Sequence, residues 1–191
     1  MDSKSSRISR RRAQARERII EAAARLFADK GIDEVSLDEI AQEADFSRGT
    51  LYSHFPSKEA LVFEILRPVL IKSSDKILSL TNLEPRDTVD ALLKLYIELW
   101  QDHKNALRLI YKIRRDKMGS LAGIHDEFLQ NIIKLFEKIQ EKGLLRINDP
   151  RLSALVMHRI AVPLLEIFDA YEEFEAYFND SLRSLLIIDK K

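Results

Sequence analysis

Between Ser47 and Lys58 the chain reads SRGTLYSHFPSK, which crowds hydrogen-bonding side chains onto barely two turns of helix. Ser47 is a good N-cap, while Pro56-Ser57 ends the helix and caps the next one. At about 100° per residue, Leu51 and Phe55 share one face and must turn to a core, and Gly49 and Ser53 share the opposite face. Arg48, Thr50, Tyr52 and His54 flank that outward pair. A glycine and a serine at the outward centre let the helix backbone approach another surface closely. The guanidinium, hydroxyls and phenol around them can then reach phosphate oxygens or base edges. So short a helix is marginal by itself, and what flanks it must hold it.

The individual residues carry different weight. Arg48, near the start of the short helix, is placed for a bidentate contact to guanine, against the alternative of a solvated surface arginine. Tyr52 contacts a ligand or packs, and a buried tyrosine would still need a partner for its hydroxyl. Lys58 lies in the first turn of the following helix, where a cation opposes the helix dipole; a phosphate there would satisfy both the lysine and the free N–H groups. Ser36 is first of all a cap, with any outside contact secondary. His54 is either a base or backbone contact or a plain surface histidine.

Little else in the chain offers chemistry. His54, His103, His125 and His158 lack metal-ligand spacing. Glu172, Glu173 and Glu175 read as a solvated helix end. There is no glycine-rich phosphate loop, and with no cysteine there is no thiol nucleophile, disulfide or thiolate metal site. An enzyme reading has nothing to stand on, and no cofactor is expected. The missing cysteines are consistent with a reducing, cytoplasmic setting. Met1–Arg18 is basic with no apolar core of a secretory signal, and the most apolar segment, Leu152–Phe168, is interrupted by His158, Arg159 and Glu166, so no membrane span is expected.

The elements that must position these residues are helices. Ile19, Ala22, Ala23, Leu26 and Phe27 repeat at spacings of three and four, with Gly31 as a C-terminal cap. Ser36 with Glu39 makes a capping box for a second helix, whose inward residues are Leu37, Ile40, Ala41 and Ala44. Asp45-Phe46 is a turn, and Ser57 opens a fourth helix that Pro68 is expected to kink or break. Helix, tight turn, helix is a shape that docks on DNA. Longer helices follow over 86–102, 106–115, 121–142, 150–171 and 174–188, and no convincing strand appears. The expected class is all-α, with a basic arm and helix-turn-helix domain over 1–60 and a larger helical domain over 61–191.

The stretch IIEAAARLFADKGIDEVSLDEIAQEADFSRGTLYSHFPSKEALVFEIL resembles the DNA-binding domain of the TetR family of bacterial transcriptional regulators. It covers about a quarter of the chain without a gap. The turn position that the family usually gives to glycine is Asp45 here, a residue that tolerates the left-handed conformation. The resemblance places the short helix in the major groove, with Ser36, Ser47, Arg48, Gly49, Thr50, Tyr52, Ser53, His54 and Lys58 at the DNA and Thr50 and Tyr52 on phosphates. It further implies a homodimer built through the last two long helices, with Leu155, Val156, Leu182, Leu185 and Leu186 as seam residues. A core helix within one chain would show the same apolar pattern. It also implies a small-molecule effector inside the helical body, with Tyr96, Trp100, Tyr111 and Phe128 lining a pocket and Arg114 or His125 as polar anchors, although such a stripe also suits ordinary core. The function implied is a repressor that a ligand releases from a pseudo-palindromic operator. The alternative is a DNA-bound scaffold or nucleoid-associated protein with a protein partner and no inducer, which would lack an internal cavity.

Charge qualifies this reading. The formal net charge of zero hides a pattern in which Met1–Arg18 holds seven basic residues against two acids, net +5. Ile19–Asp45 holds two basic residues against eight acids, net −6. A basic arm beside an acidic frame suits a localised phosphate contact. A solvated tail would look the same, so charge alone does not decide.

Overall fold

The computed structural model describes residues 3–188, with side chains described from Arg7 onward. The described residues form eight α-helices and no strand: α1 (Ser3–Lys30), α2 (Leu37–Glu43), α3 (Arg48–His54), α4 (Lys58–Leu80), α5 (Pro85–Lys112), α6 (Leu121–Glu141), α7 (Pro150–Phe168) and α8 (Phe174–Leu186). One antiparallel bridge, Leu145 with Ile187, ties the chain beyond α8 to the α6–α7 connection. No described helix is long and apolar enough to cross a membrane.

Three serines start the three helices after α1. Ser36, Ser47 and Ser57 each have extended backbone, and their hydroxyls accept the N–H of Glu39, Thr50 and Ala60. The α2–α3 turn depends on Asp45, whose φ of 60° is the only positive value among the described non-glycine residues. Around it the Phe46 N–H donates to Ala41 O at 2.9 Å and the Asp45 N–H to Gln42 O at 3.1 Å. This paired closure satisfies the last carbonyls of α2 with aspartate where glycine is usual. Ile19, Ala23, Phe27, Ile40, Leu51 and Phe55 are at most 2% exposed and lock α1, α2 and α3 together.

Two expectations about helix limits change. The basic arm is not separate: α1 runs unbroken from Ser3, its first fully buried side chain is Ile19, and Arg7, Arg10, Arg11 and Arg12 stand exposed on its leading half. Nothing in that half interrupts helix, since alanine, arginine and glutamine are good helix formers. Pro68, in turn, lies inside a continuous α4. It sits on the exposed side, so the carbonyl it deprives of a partner lies toward water rather than in the core. The break expected after Asp102 survives as a kink at His103 (φ −140°, ψ 35°) within α5.

Beyond α3 the helices are long. α4, α5, α6 and α7 pack on one another, and α8 lies across α7 and α5. Trp100, Phe136, Leu135, Leu165 and Phe178 anchor that core. Both α4 and α5 also pack on α1, so the two ends of the molecule share a frame.

Candidate functional site

The surface of α3 is displayed as the spacing predicts. Leu51 and Phe55 are buried, whereas Ser47, Arg48, Gly49, Tyr52 and Ser53 are exposed and Thr50 and His54 half-buried. A Cβ added at Gly49 would meet nothing closer than Ser47 Oγ at 4.0 Å. Glycine inside a helix costs about 0.5–1 kcal/mol relative to alanine. The chain's own packing therefore gives no reason for glycine here, while close approach of an outside surface does. The polar side chains around it are held in place. The Ser47 and Thr50 hydroxyls are 2.9 Å apart, Ser53 Oγ donates to Thr50 O at 2.7 Å, and Arg48 Nε pairs with Asp38 at 3.0 Å while its guanidinium lies over the Tyr52 ring.

Next to α3 is a shallow cleft lined by Ser36, Asp38, Arg48, Tyr52, Ser57, Lys58 and Glu59. It gathers the starts of α2 and α4 beside Arg48, an arrangement of N–H groups and cation that suits a phosphate oxygen. Lys58 enters it only in part. Its ammonium donates to Ile32 O at 2.7 Å and Val35 O at 3.1 Å, pinning the α1–α2 turn. Those carbonyls, rather than a phosphate, offset the misfit of a cation at a helix start. Glu59 also uses this end: its backbone N–H and the Ser57 hydroxyl hold its carboxyl below the usual range.

On the other flank, Arg16 pairs with Glu64 and stacks over Phe55, and Arg18 lies over Phe46. Burial, then Arg12 and Arg16, push His54 below its ordinary value. It is therefore neutral at physiological pH, a hydrogen-bonding group rather than a cation.

A second feature lies in the helical body. A cavity of about 480 Å³ opens between α4, α5, α6 and α7. Leu70, Tyr96 and Leu99 line its buried part, and Tyr111, Arg114, Arg115 and Arg159 are exposed at its mouth. The Tyr96 hydroxyl is buried with no hydrogen-bond partner, and burial pushes its pKa up. An unpaired buried hydroxyl costs about 1–3 kcal/mol, which is reason to look for what it meets. His125 and His158 line the same space with ring centroids 5.0 Å apart.

The two features share a segment. Arg108 at the end of α5 pairs with Asp29 of α1 at 2.6 Å and with Glu166 of α7 at 2.8 Å. Lys112 Nζ donates to Ala28 O at 2.7 Å, and Lys117 pairs with Asp33 at 3.0 Å. Between and beside these contacts, Leu107, Ile110, Tyr111, Ile113, Arg114 and Met118 face the cavity. The stretch that walls the cavity is thus bolted to the end of α1.

These observations converge with comparison to known proteins. The model of bacterial regulatory proteins of the tetR family matches residues 19–65, from the buried half of α1 into α4. Residues 19–65 are thus similar to the tetR family over the whole helix-turn-helix region. The chain is 36% identical over 128 residues to the HTH-type transcriptional regulator YuxN of Bacillus subtilis (strain 168), covering 66% of this chain and 40% of that protein, so this chain spans less than half of that relative. It is 23% identical over 182 residues to IcaR of Staphylococcus aureus, a negative transcriptional regulator of the biofilm operon icaADBC, covering 91% of this chain and 97% of IcaR. Among solved structures, AibR in complex with isovaleryl coenzyme A and operator DNA superposes with a TM-score of 0.71 at 21% identity, over 90% of this chain and 97% of AibR. That last likeness concerns the fold.

The structure corrects several expected roles. Tyr96, Tyr111, Arg114, His125 and Phe128 do line the cavity, but Trp100 does not. Trp100 is 1% exposed, and its indole N–H donates to Asp169 at 2.7 Å, making it a core peg between α5 and the end of α7. Leu182 and Leu186, expected at a subunit seam, are 0% and 1% exposed in the single chain and have no surface left for a partner. Leu155 faces the cavity instead. Val156 is half-buried, and Leu185 is exposed. Sequence reading missed His158 and Arg159 at the cavity: 33 residues separate His158 from His125, and only the packing of α6 on α7 brings them together. Asp38 as the holder of Arg48 was also missed, although an acid in the first turn of α2 was visible.

Proposed function

We propose that this protein is a ligand-responsive, DNA-binding transcriptional regulator, a homodimer that represses from a pseudo-palindromic operator in the cytoplasm. The observation that carries the reading is Gly49, a glycine in the first turn of α3 with open space around it at the centre of an exposed polar face. Set into a major groove, α3 brings its backbone close at Gly49 and Ser53. Arg48 then exchanges Asp38 for a base edge, while Thr50, Tyr52 and Ser47 meet flanking phosphates. The exposed arginines on the first half of α1 extend the positive surface toward the neighbouring backbone or minor groove. Residues 1–60 serve DNA in this reading, and 61–191 serve ligand and partner.

The seam between subunits lies on the outer faces of α7 and α8. Leu152, Val156 and Ile167 follow one side of α7, Tyr177 and Leu185 one side of α8, and Ile188 lies just beyond its end; all but half-buried Val156 are exposed large apolar residues. Two such helix pairs bury one another as a four-helix bundle with the same patch on both subunits. An effector entering the cavity pushes on the Leu107–Met118 segment and so shifts the end of α1, changing the separation of the two α3 helices. The complex that AibR forms with isovaleryl coenzyme A and operator DNA supports this pairing of cavity and operator. The cavity disfavours the scaffold alternative, which needs no internal space.

Selection of bound sequences from random duplexes tests the reading. The expected result is two inverted half-sites about one helical turn apart. Binding without sequence preference would overturn it.

A further inference from the structure

The chemistry of the cavity wall goes beyond a generic effector site. Its buried end is apolar apart from two hydroxyls, Ser73 and Tyr96. Ser73 is satisfied, donating to Val69 O at 2.6 Å. Tyr96 is not. The mouth, by contrast, is cationic, and most of its cations are already committed: Lys112 to Ala28 O, Arg114 to Asp116 at 3.0 Å, and Arg115 to Asp126. Arg159 of α7 has no hydrogen-bond or ion-pair partner among the described residues. It stands beside His125 and His158, whose rings hydrogen-bond to no described residue and whose centroids are 5.0 Å apart at a tilt of 58°. Phe128 also packs near His158, with ring centroids 6.2 Å apart. A guanidinium without an ion-pair partner and two imidazoles in tilted contact, at the mouth of an apolar space, suit an anion.

We propose that the cavity takes an apolar-bodied anion, with its head between Arg159, His125 and His158 and its body lying inward toward the Tyr96 hydroxyl, and that the histidine pair takes up a proton as the head arrives. The proposal rests on the reading of the cavity as an effector site and names the class of effector.

The electrostatics of the empty site agree. His158 is pushed down to about 4, first by burial and then by His125 and Arg159, and His125 is lowered mainly by burial. Around the pair stand Arg115 and Arg159, which oppose a further positive charge, and Asp126, which favours one but is already paired with Arg115. Tyr96, Tyr111, Lys112 and Arg114 complete the polar wall, and none of them supplies a free negative charge at neutral pH. Both histidines are therefore neutral while the cavity is empty. An anion beside them raises the pKa of the charged form. A base whose pKa is depressed in the free protein and raised in the complex binds a proton on ligation, so affinity increases as pH falls from neutral toward the free-protein value, about 4 for His158. The Tyr96 hydroxyl, in turn, favours a ligand with an oxygen at its far end over a bare hydrocarbon chain.

Titration calorimetry of the full chain without DNA tests this, with octanoate, octanesulfonate, ω-hydroxyoctanoate and octanol as probes in two buffers of different ionisation enthalpy. We expect the three anions to bind at least tenfold more tightly than octanol, with a fractional proton taken up. Arg159→Ala should weaken the anions about tenfold and leave octanol unchanged. His125→Gln with His158→Gln should abolish proton uptake, and Tyr96→Phe should remove the advantage of ω-hydroxyoctanoate while leaving octanoate unaffected. Equal affinity for octanol and octanoate, or anion binding without proton uptake in the native protein, would overturn the proposal. Anions that bind with proton uptake but leave operator affinity unchanged would uphold this site and sink the effector reading. Operator binding that responds to none of these probes, together with no calorimetric signal, would sink the site while leaving the DNA-binding reading intact.

Discussion

The two ends of this molecule are built by different rules. From α1 to the start of α4, three short connections are closed by local chemistry: serine caps at 36, 47 and 57, and a left-handed aspartate at 45. The polar residues there point outward in the pattern their spacing dictates. From α5 to α8 the same kinds of side chain do their work across elements, as when Arg108 joins α1 to α7 or when α6 and α7 bring two histidine rings into contact. A surface that must fit a rigid external shape gains from positions set by one short helix and its caps. A cavity that responds to its contents gains from walls contributed by helices that can shift against one another. The lesson is that the first region is best probed by single residues and the second by pairs.

The largest effect should come from the outer face of α7 and α8. Ile167→Asp combined with Leu185→Asp places carboxylates on an apolar seam, where burial without a partner is strongly unfavourable. Sedimentation should show monomer, and operator affinity should fall about 100-fold or more while non-specific affinity changes little. Retention of the dimer in a folded double variant would move the seam elsewhere.

At Gly49, stability and function should part company. Gly49→Leu meets open space in the free protein and replaces a poor helix former, so the melting temperature should hold or rise. Operator binding should drop by more than tenfold because the backbone can no longer approach. A variant that binds normally would show that α3 does not lie close against DNA at this point.

Arg48→Ala should weaken operator binding roughly tenfold and relax preference at one position in each half-site. If the loss is uniform across sequences instead, Arg48 is a phosphate contact. The α5–α1 link tests how the two regions communicate. Arg108→Met keeps an unbranched apolar stem but removes both ion pairs, and should reduce the ligand-induced change in operator affinity about fivefold with ligand affinity itself little altered.

The smallest effect concerns the α2–α3 turn. Left-handed backbone costs an ordinary residue about 1–2 kcal/mol and glycine almost nothing. Asp45→Gly should therefore raise unfolding free energy by about 1 kcal/mol, since aspartate already tolerates the conformation and its contact with Arg18, at 3.7 Å, is loose. Denaturant midpoints compared at a constant slope measure it, and a lowered midpoint would assign Asp45 a role in the turn beyond tolerance.

How legible these regions were in the sequence follows from the range of the forces that shape them. Caps, turn residues and the 3.6-residue period act within four or five positions, so the three helices after α1, the turn at Asp45 and the outward face of α3 could be read directly. The helix expected from residue 150 starts there as α7 with Asp149 as its cap, and the gap expected after residue 102 became the kink at His103. Periodicity also told which residues are apolar and inward, but not which neighbour they meet. Trp100 and Phe128 looked alike as aromatic residues on inward faces, yet one pegs α5 against Asp169 and the other walls the cavity. Leu185 and Leu186 are adjacent and equally apolar, and only the packing of α8 against α7 and α5 decides that Leu186 closes the core while Leu185 faces out. Lys58 shows the same limit: its position in a helix start was plain, but the carbonyls of Ile32 and Val35 that hold it arrive from another part of the chain. The sequence by itself therefore determined the helices, their caps and the face that α3 presents, because those depend on steric and hydrogen-bonding preferences between near neighbours. Tertiary structure alone decided the cavity, the histidine pair and the bolts from α5 to α1, because contacts between residues far apart in the chain exist only once whole helices have found their partners.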